Sequence, residues 1–143
     1  MSVGPAVHIA RAIGSTRSTS PACKIEVKSG AYHLVADEPS AAGGGDFGPS
    51  PFGLLVSGLA ACTATTLRKY AEHEGWELTT IEVDVRFDID DDGGRNICRT
   101  ITVPADLITE QRERLADIAE RTPVTLALRG GTPITTAFQP HND

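Results

Sequence analysis

The chain is poor in the residues from which several kinds of site are built. Its 143 residues include only three cysteines, one tryptophan, two tyrosines and one methionine. Cys23, Cys62 and Cys98 lie far apart and form no Cys-x-x-Cys pair, so neither a disulfide framework nor a thiolate zinc site is expected. The four histidines, His8, His33, His73 and His141, show no His-x-x-x-His spacing. No metal and no cofactor is therefore expected. Positive charge is scarce: 13 Lys and Arg stand against 19 Asp and Glu, a formal net charge of −6. With no basic cluster to offset that sign, binding to a phosphate backbone is not expected. The longest strongly apolar stretch, Phe52–Ala64, is well short of the roughly 20 residues that cross a bilayer. No basic segment followed by an apolar one opens the chain. These absences leave the expectation of a single cytoplasmic domain, 1–143, with no nucleic-acid or membrane partner and enough length to bury a core.

What is present reads as short strands around one long helix. Val7–Ile13 and Ala22–Val27 are strand candidates, and Ser29-Gly30 turns the chain into a third, Tyr32–Ala36. Asp37–Pro49, with Gly43-Gly44-Gly45 and two prolines, reads as a long flexible connector. Ser50 can cap a helix for which Pro51 suits the first turn, and Gly75 suits its end. The first half of that helix is apolar almost all round, which predicts burial. Its second half, Arg68–Glu74, is polar and predicts exposure. A helix divided in this way is hard to surround within 143 residues, so a partner subunit is expected. Thr79–Ile89 alternates apolar and charged residues as a half-buried strand does. After the turn at Asp90–Gly94, Asn96–Val103 returns with Ile97, Ile101 and Val103 inward. Asp106–Arg121 is a second helix, ended by Pro123, and Thr132–Phe138 a final strand. The predicted class is α+β, largely antiparallel, in the order β-β-β-α-β-β-α-β.

Three motifs look chemical but read as structural. Asp88-Ile-Asp90-Asp-Asp92-Gly93 places acids as a calcium loop does, but the twelfth position is Arg99 and both flanks are strands; an acidic hairpin turn is the better reading. The glycines at 43–45 lack the Gly-Lys-Ser/Thr of a phosphate-binding loop. His73 between Glu72 and Glu74 is a solvated helix face rather than an oriented base, since adjacent helical residues point in different directions.

Cys62 sits in the apolar half of the long helix, in Leu59-Ala60-Ala61-Cys62-Thr63-Ala64. A free cysteine there is ordinarily a small core residue. A reactive thiolate three turns into a helix needs a cation from elsewhere in the chain, because the helix dipole acts only over the first turn. The surrounding residues extend this reading. Asp37-Glu38-Pro39, then Gly44-Gly45-Asp46-Phe47-Gly48-Pro49-Ser50-Pro51, then Leu54–Ala64 with Cys62, resemble the signature of the OsmC/Ohr family of osmotically inducible and organic hydroperoxide resistance proteins. Leu67–Ala71 and Gly75-Trp76 resemble its OsmC-like branch, and Ile118–Val124 resembles the second motif of the family.

The resemblance implies an OsmC-like fold, an intertwined homodimer with the long helices at its centre, and thiol peroxidase chemistry. Cys62 matches the family's peroxide-attacking cysteine. The position of the second cysteine, before the Pro-Val step, is Thr122 here, and the acid that follows the proline at the start of the long helix is replaced by Phe52. The activating arginine comes from the N-terminal strands in the Ohr branch. Arg17 is the best match, with Arg11 behind it. The expected function is an organic hydroperoxide reductase with one peroxidatic cysteine, Cys62, activated by Arg17 and resolved by an external thiol. The alternative is a non-catalytic dimer of the same fold that binds a small apolar molecule, with Cys62 structural.

Overall fold

In a computed structural model, which describes residues 6–141, the chain forms two compact units, with the division falling after Leu55. The first unit contains β1 (Ala12–Ser15), β2 (Ile25–Ser29) and β3 (Tyr32–Ala36), an antiparallel sheet in the order β1-β2-β3. A single 3-10 turn, Ser40–Ala42, follows. The helix α1, Pro51–Glu74, begins in this unit and continues into the second. The second unit adds β4 (Glu82–Ile89), β5 (Arg95–Thr102), α2 (Thr109–Ala119) and α3 (Pro123–Gly130). β4 and β5 pair antiparallel, with Val85 opposite Arg99 and Phe87 opposite Ile97.

The α+β class with antiparallel sheets and one long helix is as expected. α1 has the predicted ends because both are chemically marked. Gly53 N–H donates to Ser50 Oγ at 3.0 Å, and Gly75 stops the helix at φ +75°, a backbone state that costs a residue without Cβ little. Its burial differs from the expectation. Leu59, Thr63, Leu67 and Ala71, spaced four apart, are buried, so the face turned to the core of the second unit runs into the polar half. Arg68, Lys69 and Glu72–Glu74 are exposed around it. Phe52 and Leu55, in the apolar half, are 52% and 38% exposed.

The core of the second unit is Leu67, Leu107, Leu115 and Ala119, with Tyr70, Trp76, Ile81, Ile101 and Ile118 packed on it. Tyr70 meets Trp76 edge to face at 5.6 Å. The Tyr70 hydroxyl accepts from Arg114 Nε at 2.8 Å, a bond that raises the Arg114 guanidinium pKa still further above its ordinary value.

In the first unit, the segment expected to be a flexible connector is organised around one buried carboxylate. Asp37 is 1% exposed. Its Oδ1 accepts from Glu38 N at 2.8 Å, and its Oδ2 accepts from Gly45 N and Phe47 N, both at 3.2 Å. The loop closes through Asp37 N to Pro49 O and Asp46 N to Glu38 O, each 3.1 Å. A Cβ at Gly44 would lie 1.9 Å from Glu38 O, so only glycine fits there.

Six other expectations are corrected. The first strand is Ala12–Ser15 rather than Val7–Ile13, because β2 offers partners only from Ser29 back to Glu26. The second and fourth strands start later than expected, at Ile25 and Glu82, and the second helix is trimmed to Thr109–Ala119. Pro123 does not close a helix into a turn; it opens α3, where its missing N–H costs nothing. Thr132–Phe138 is not a strand. Ile134 and Phe138 are 88% and 98% exposed, and no described strand pairs with the segment.

Candidate functional site

Cys62 lies on α1 between Leu59 and Thr66, half-buried and unbridged. Its carbonyl accepts from Thr66 Oγ1 at 2.8 Å. The other cysteines are also free thiols. Cys98 is exposed on the face of β5 opposite Ile97, as strand parity predicts, and takes a hydrogen bond from Asn96 Nδ2 at 3.1 Å. Cys23, in the first unit, points its thiol at Gly43 O at 3.8 Å. Arg17 belongs to the first unit, exposed in the loop after β1, where its carbonyl accepts from Ser20 N at 3.0 Å. Arg11 is exposed just before β1, its carbonyl accepting from Gly30 N.

The residue that sequence reasoning missed is Arg99. It shares the inward face of β5 with Ile97 and Ile101, and it is half-buried there. Arg99 Nη1 donates to Thr63 Oγ1 at 2.9 Å and to Thr125 Oγ1 at 2.8 Å, and its Nη2 donates to the Ala119 carbonyl at 2.9 Å. One guanidinium thus ties together α1, β5, the end of α2 and α3. Thr63 is the chain neighbour of Cys62, and its hydroxyl also donates to Leu59 O at 2.7 Å. Thr125 shares a hydrogen bond with Thr122 at 2.6 Å, and both residues are buried. Thr122 is therefore a hydroxyl inside a closed network that leads to Arg99. The signal was available in the sequence. Two residues on either side of Arg99 are inward-facing isoleucines, and period-two geometry carries the arginine inward with them.

This network borders a cleft of about 470 Å³ whose lining includes the apolar residues Leu59, Phe87, Ile97 and Leu128 and the polar residues Arg95, Arg99 and Arg129. Arg129 is paired with Glu120, Nη2 to Oε2 at 2.5 Å. Among the described residues, neither Arg95 nor Arg99 has a carboxylate partner.

The motifs read as structural behave so. Asp90 Oδ1 accepts from Asp92 N and Gly94 N at 3.1 and 2.7 Å, folding the acidic turn between β4 and β5. Glu72 pairs with Arg68 rather than His73, and His73 Nδ1 sits 3.8 Å from Glu74 in an exposed pair. Among the described residues, no group of three or more His, Cys, Asp or Glu side chains is placed to hold a metal ion, and no helix is long and apolar enough to cross a membrane.

With this geometry in view, comparison with known proteins is specific about family. The model of the OsmC-like protein family matches residues 43–137, so the chain belongs to that family. No curated protein sequence matches it. Among solved structures it is similar to an OsmC-like protein from Mycoplasma pneumoniae, at 21% identity and TM-score 0.66, over 86% of this chain and 89% of that one. It is also similar to the organic hydroperoxide resistance protein OhrB of Bacillus subtilis, at 29% identity and TM-score 0.60, over 87% and 93% of the two chains. A third similar structure is an organic hydroperoxide resistance protein from Elizabethkingia anophelis with crystallant-derived thiocyanate bound, at 20% identity and TM-score 0.65, over 87% and 91%.

Proposed function

We propose that this chain, as a single OsmC-like domain spanning 1–143, is a thiol-dependent hydroperoxide reductase that uses one cysteine. The observation that carries the reading is a free, half-buried Cys62 in a chain of the OsmC-like family, and it is supported by the hydroxyl of Thr122 at the position that the resemblance sets against the family's second thiol. The Cys62 thiolate attacks the peroxide O–O bond. That bond breaks, the alcohol leaves with a proton, and Cys62 becomes a sulfenic acid. Thr122 cannot condense with it. An external thiol does so instead, releasing water and forming a mixed disulfide, and a second thiol displaces Cys62 to give the oxidised reductant and the original thiol. Arg17 is the assigned activating cation, with Arg11 the next choice. The exposed Phe52 and Leu55 on α1 support a second copy of the chain as the partner that covers them.

The test is consumption of cumene hydroperoxide and hydrogen peroxide by the protein with excess dithiol, beside Cys62→Ser. Turnover that is faster with the organic peroxide and falls to background in the variant is expected. Equal rates in the two proteins would remove the peroxidase assignment. The second reading, an OsmC-fold dimer that binds a small apolar molecule with Cys62 structural, would then stand on the apolar residues that line the cleft, Leu59, Phe87, Ile97 and Leu128.

A further inference from the structure

A half-buried guanidinium ordinarily sits against a carboxylate, because a charge removed from water is costly unless it is paired. Arg99 is not so paired. Its partners are two hydroxyls and a carbonyl, all neutral. Of its five N–H donors, the one on Nε and one on Nη2 have no protein acceptor among the described residues. Arg95 lies on the same face of β5, with Ile97 between them, and its side chain has no described partner. Four residues along a strand separate the two arginines by about 13 Å at Cα. That spacing suits two anionic groups on one small-peptide-sized molecule better than a single inorganic ion. The cleft, at about 470 Å³, falls in the size range of sites for small organic ligands.

Charge points the same way. The chain carries a formal net charge of −6, yet the cleft has three arginines against one carboxylate, Glu120, which Arg129 already holds. The acids of β4, Glu82, Asp84 and Asp88, alternate onto the opposite, exposed face of the strand. A concavity of one sign concentrates ligands of the other. Its position is also informative. Thr125 lines the cleft and holds Thr122, the residue that the resemblance sets in place of the internal resolving thiol, while Arg99 holds Thr63, which follows Cys62 in the chain.

We propose that this arginine-lined cleft binds the external reductant, and that the reductant is a low-molecular-weight thiol bearing carboxylates. The inference rests on the one-cysteine peroxidase reading for the reductant's role. Arg95 and Arg99 hold the carboxylates, Phe87, Ile97 and Leu59 cover the apolar part, and the thiol supplied from solution performs the condensation that Thr122 cannot. Each turnover consumes two such thiols and one peroxide, and yields the reductant disulfide, an alcohol and water.

Two measurements test this on the full chain. The first is calorimetric titration with S-methylglutathione, which carries two carboxylates and no free thiol, so that binding is read without turnover. Saturable binding that weakens about tenfold in Arg95→Gln, the loss expected for one charge-assisted contact, and weakens again at high salt, is the expected result. Arg86→Gln, on the opposite face and paired with Asp88, controls for bulk charge and is expected to bind as the parent does. No binding at millimolar ligand, or equal loss in the two variants, overturns the proposal. The second is kcat/KM for glutathione against 2-mercaptoethanol. Arg95→Gln is expected to lower the glutathione value about tenfold more than the mercaptoethanol value, and an unchanged ratio overturns the proposal. If no thiol supports Cys62-dependent turnover, the peroxidase reading falls by itself, and the titration still decides whether the cleft recognises carboxylates.

Discussion

Replacing Arg99 by methionine tests how much of the second unit depends on one guanidinium. The substitution keeps an unbranched apolar stem and removes three hydrogen bonds, at 2.9, 2.8 and 2.9 Å. Hydrogen bonds from a charged donor contribute about 1.5–3 kcal/mol each, but three that share one half-buried side chain do not add. Each hydroxyl also keeps one other hydrogen bond. Thr63 Oγ1 still donates to Leu59 O, Thr125 keeps Thr122, and the Ala119 carbonyl keeps a 3.4 Å contact from Thr125 Oγ1. A net loss of about 2–3 kcal/mol is expected, which at about 3 °C per kcal/mol for a chain of this size lowers Tm by about 6–9 °C. Arg99→Lys should fall between parent and Arg99→Met, because an ammonium retains the charge but not the planar fork. The assay is urea unfolding by circular dichroism at one fixed protein concentration. Arg68→Ala serves as comparison: its ion pair with Glu72 is largely exposed, and about 0.3–0.5 kcal/mol is expected for such a pair. An Arg99→Met protein within about 0.5 kcal/mol of the parent would show that the network holds nothing together.

Two further outcomes follow from the same geometry. Asp37→Ala removes a buried acceptor of three backbone N–H bonds and is expected to cost about 3 kcal/mol, with the loop of the first unit becoming sensitive to limited proteolysis; an unchanged cleavage pattern would show that the loop is held otherwise. Thr122→Cys breaks the 2.6 Å hydroxyl pair with Thr125 at about 1 kcal/mol and, if the family's arrangement is kept, forms a disulfide with Cys62 on peroxide treatment. Thiol titration should then lose two groups per chain, and no loss would mean that positions 62 and 122 are too far apart to bridge.

Much of this architecture could be read from local chemistry. α1 was legible to the residue at its start because Ser50 and Pro51 are a cap and a first-turn residue, and at its end because Gly75 takes a positive φ. β3 was legible because it is a short run between a Gly30 turn and Asp37. Thr132–Phe138 was not, because alternation says that a segment could pair but not whether a neighbour exists to pair with it. Pro123 was ambiguous in principle, since proline is excluded from a helix interior but welcome at its first position. At the site, Cys62 stood out through its motif. Arg99 did not, because a charged residue in a strand is read as facing water, and only partners from distant parts of the chain, the hydroxyls of Thr63 and Thr125 and the carbonyl of Ala119, make its inward position affordable.

The loop around Asp37 has a consequence for how this protein can drift. Its contacts run from one carboxylate to backbone amides, and among the described residues the side chains of Ser40, Ala41 and Ala42 are exposed and make no hydrogen bond. The segment is therefore written in very few letters. Asp37, whose oxygens count the amides, Gly44 and Gly48, where a side chain would strike a carbonyl at 1.9 Å, and Gly43, held at φ +92°, carry the shape, while the exposed side chains of Ser40, Ala41 and Ala42 leave those positions open to other residues. A saturation library across 37–49 should show intolerance concentrated at positions 37, 43, 44 and 48, with a permissive stretch at 40–42.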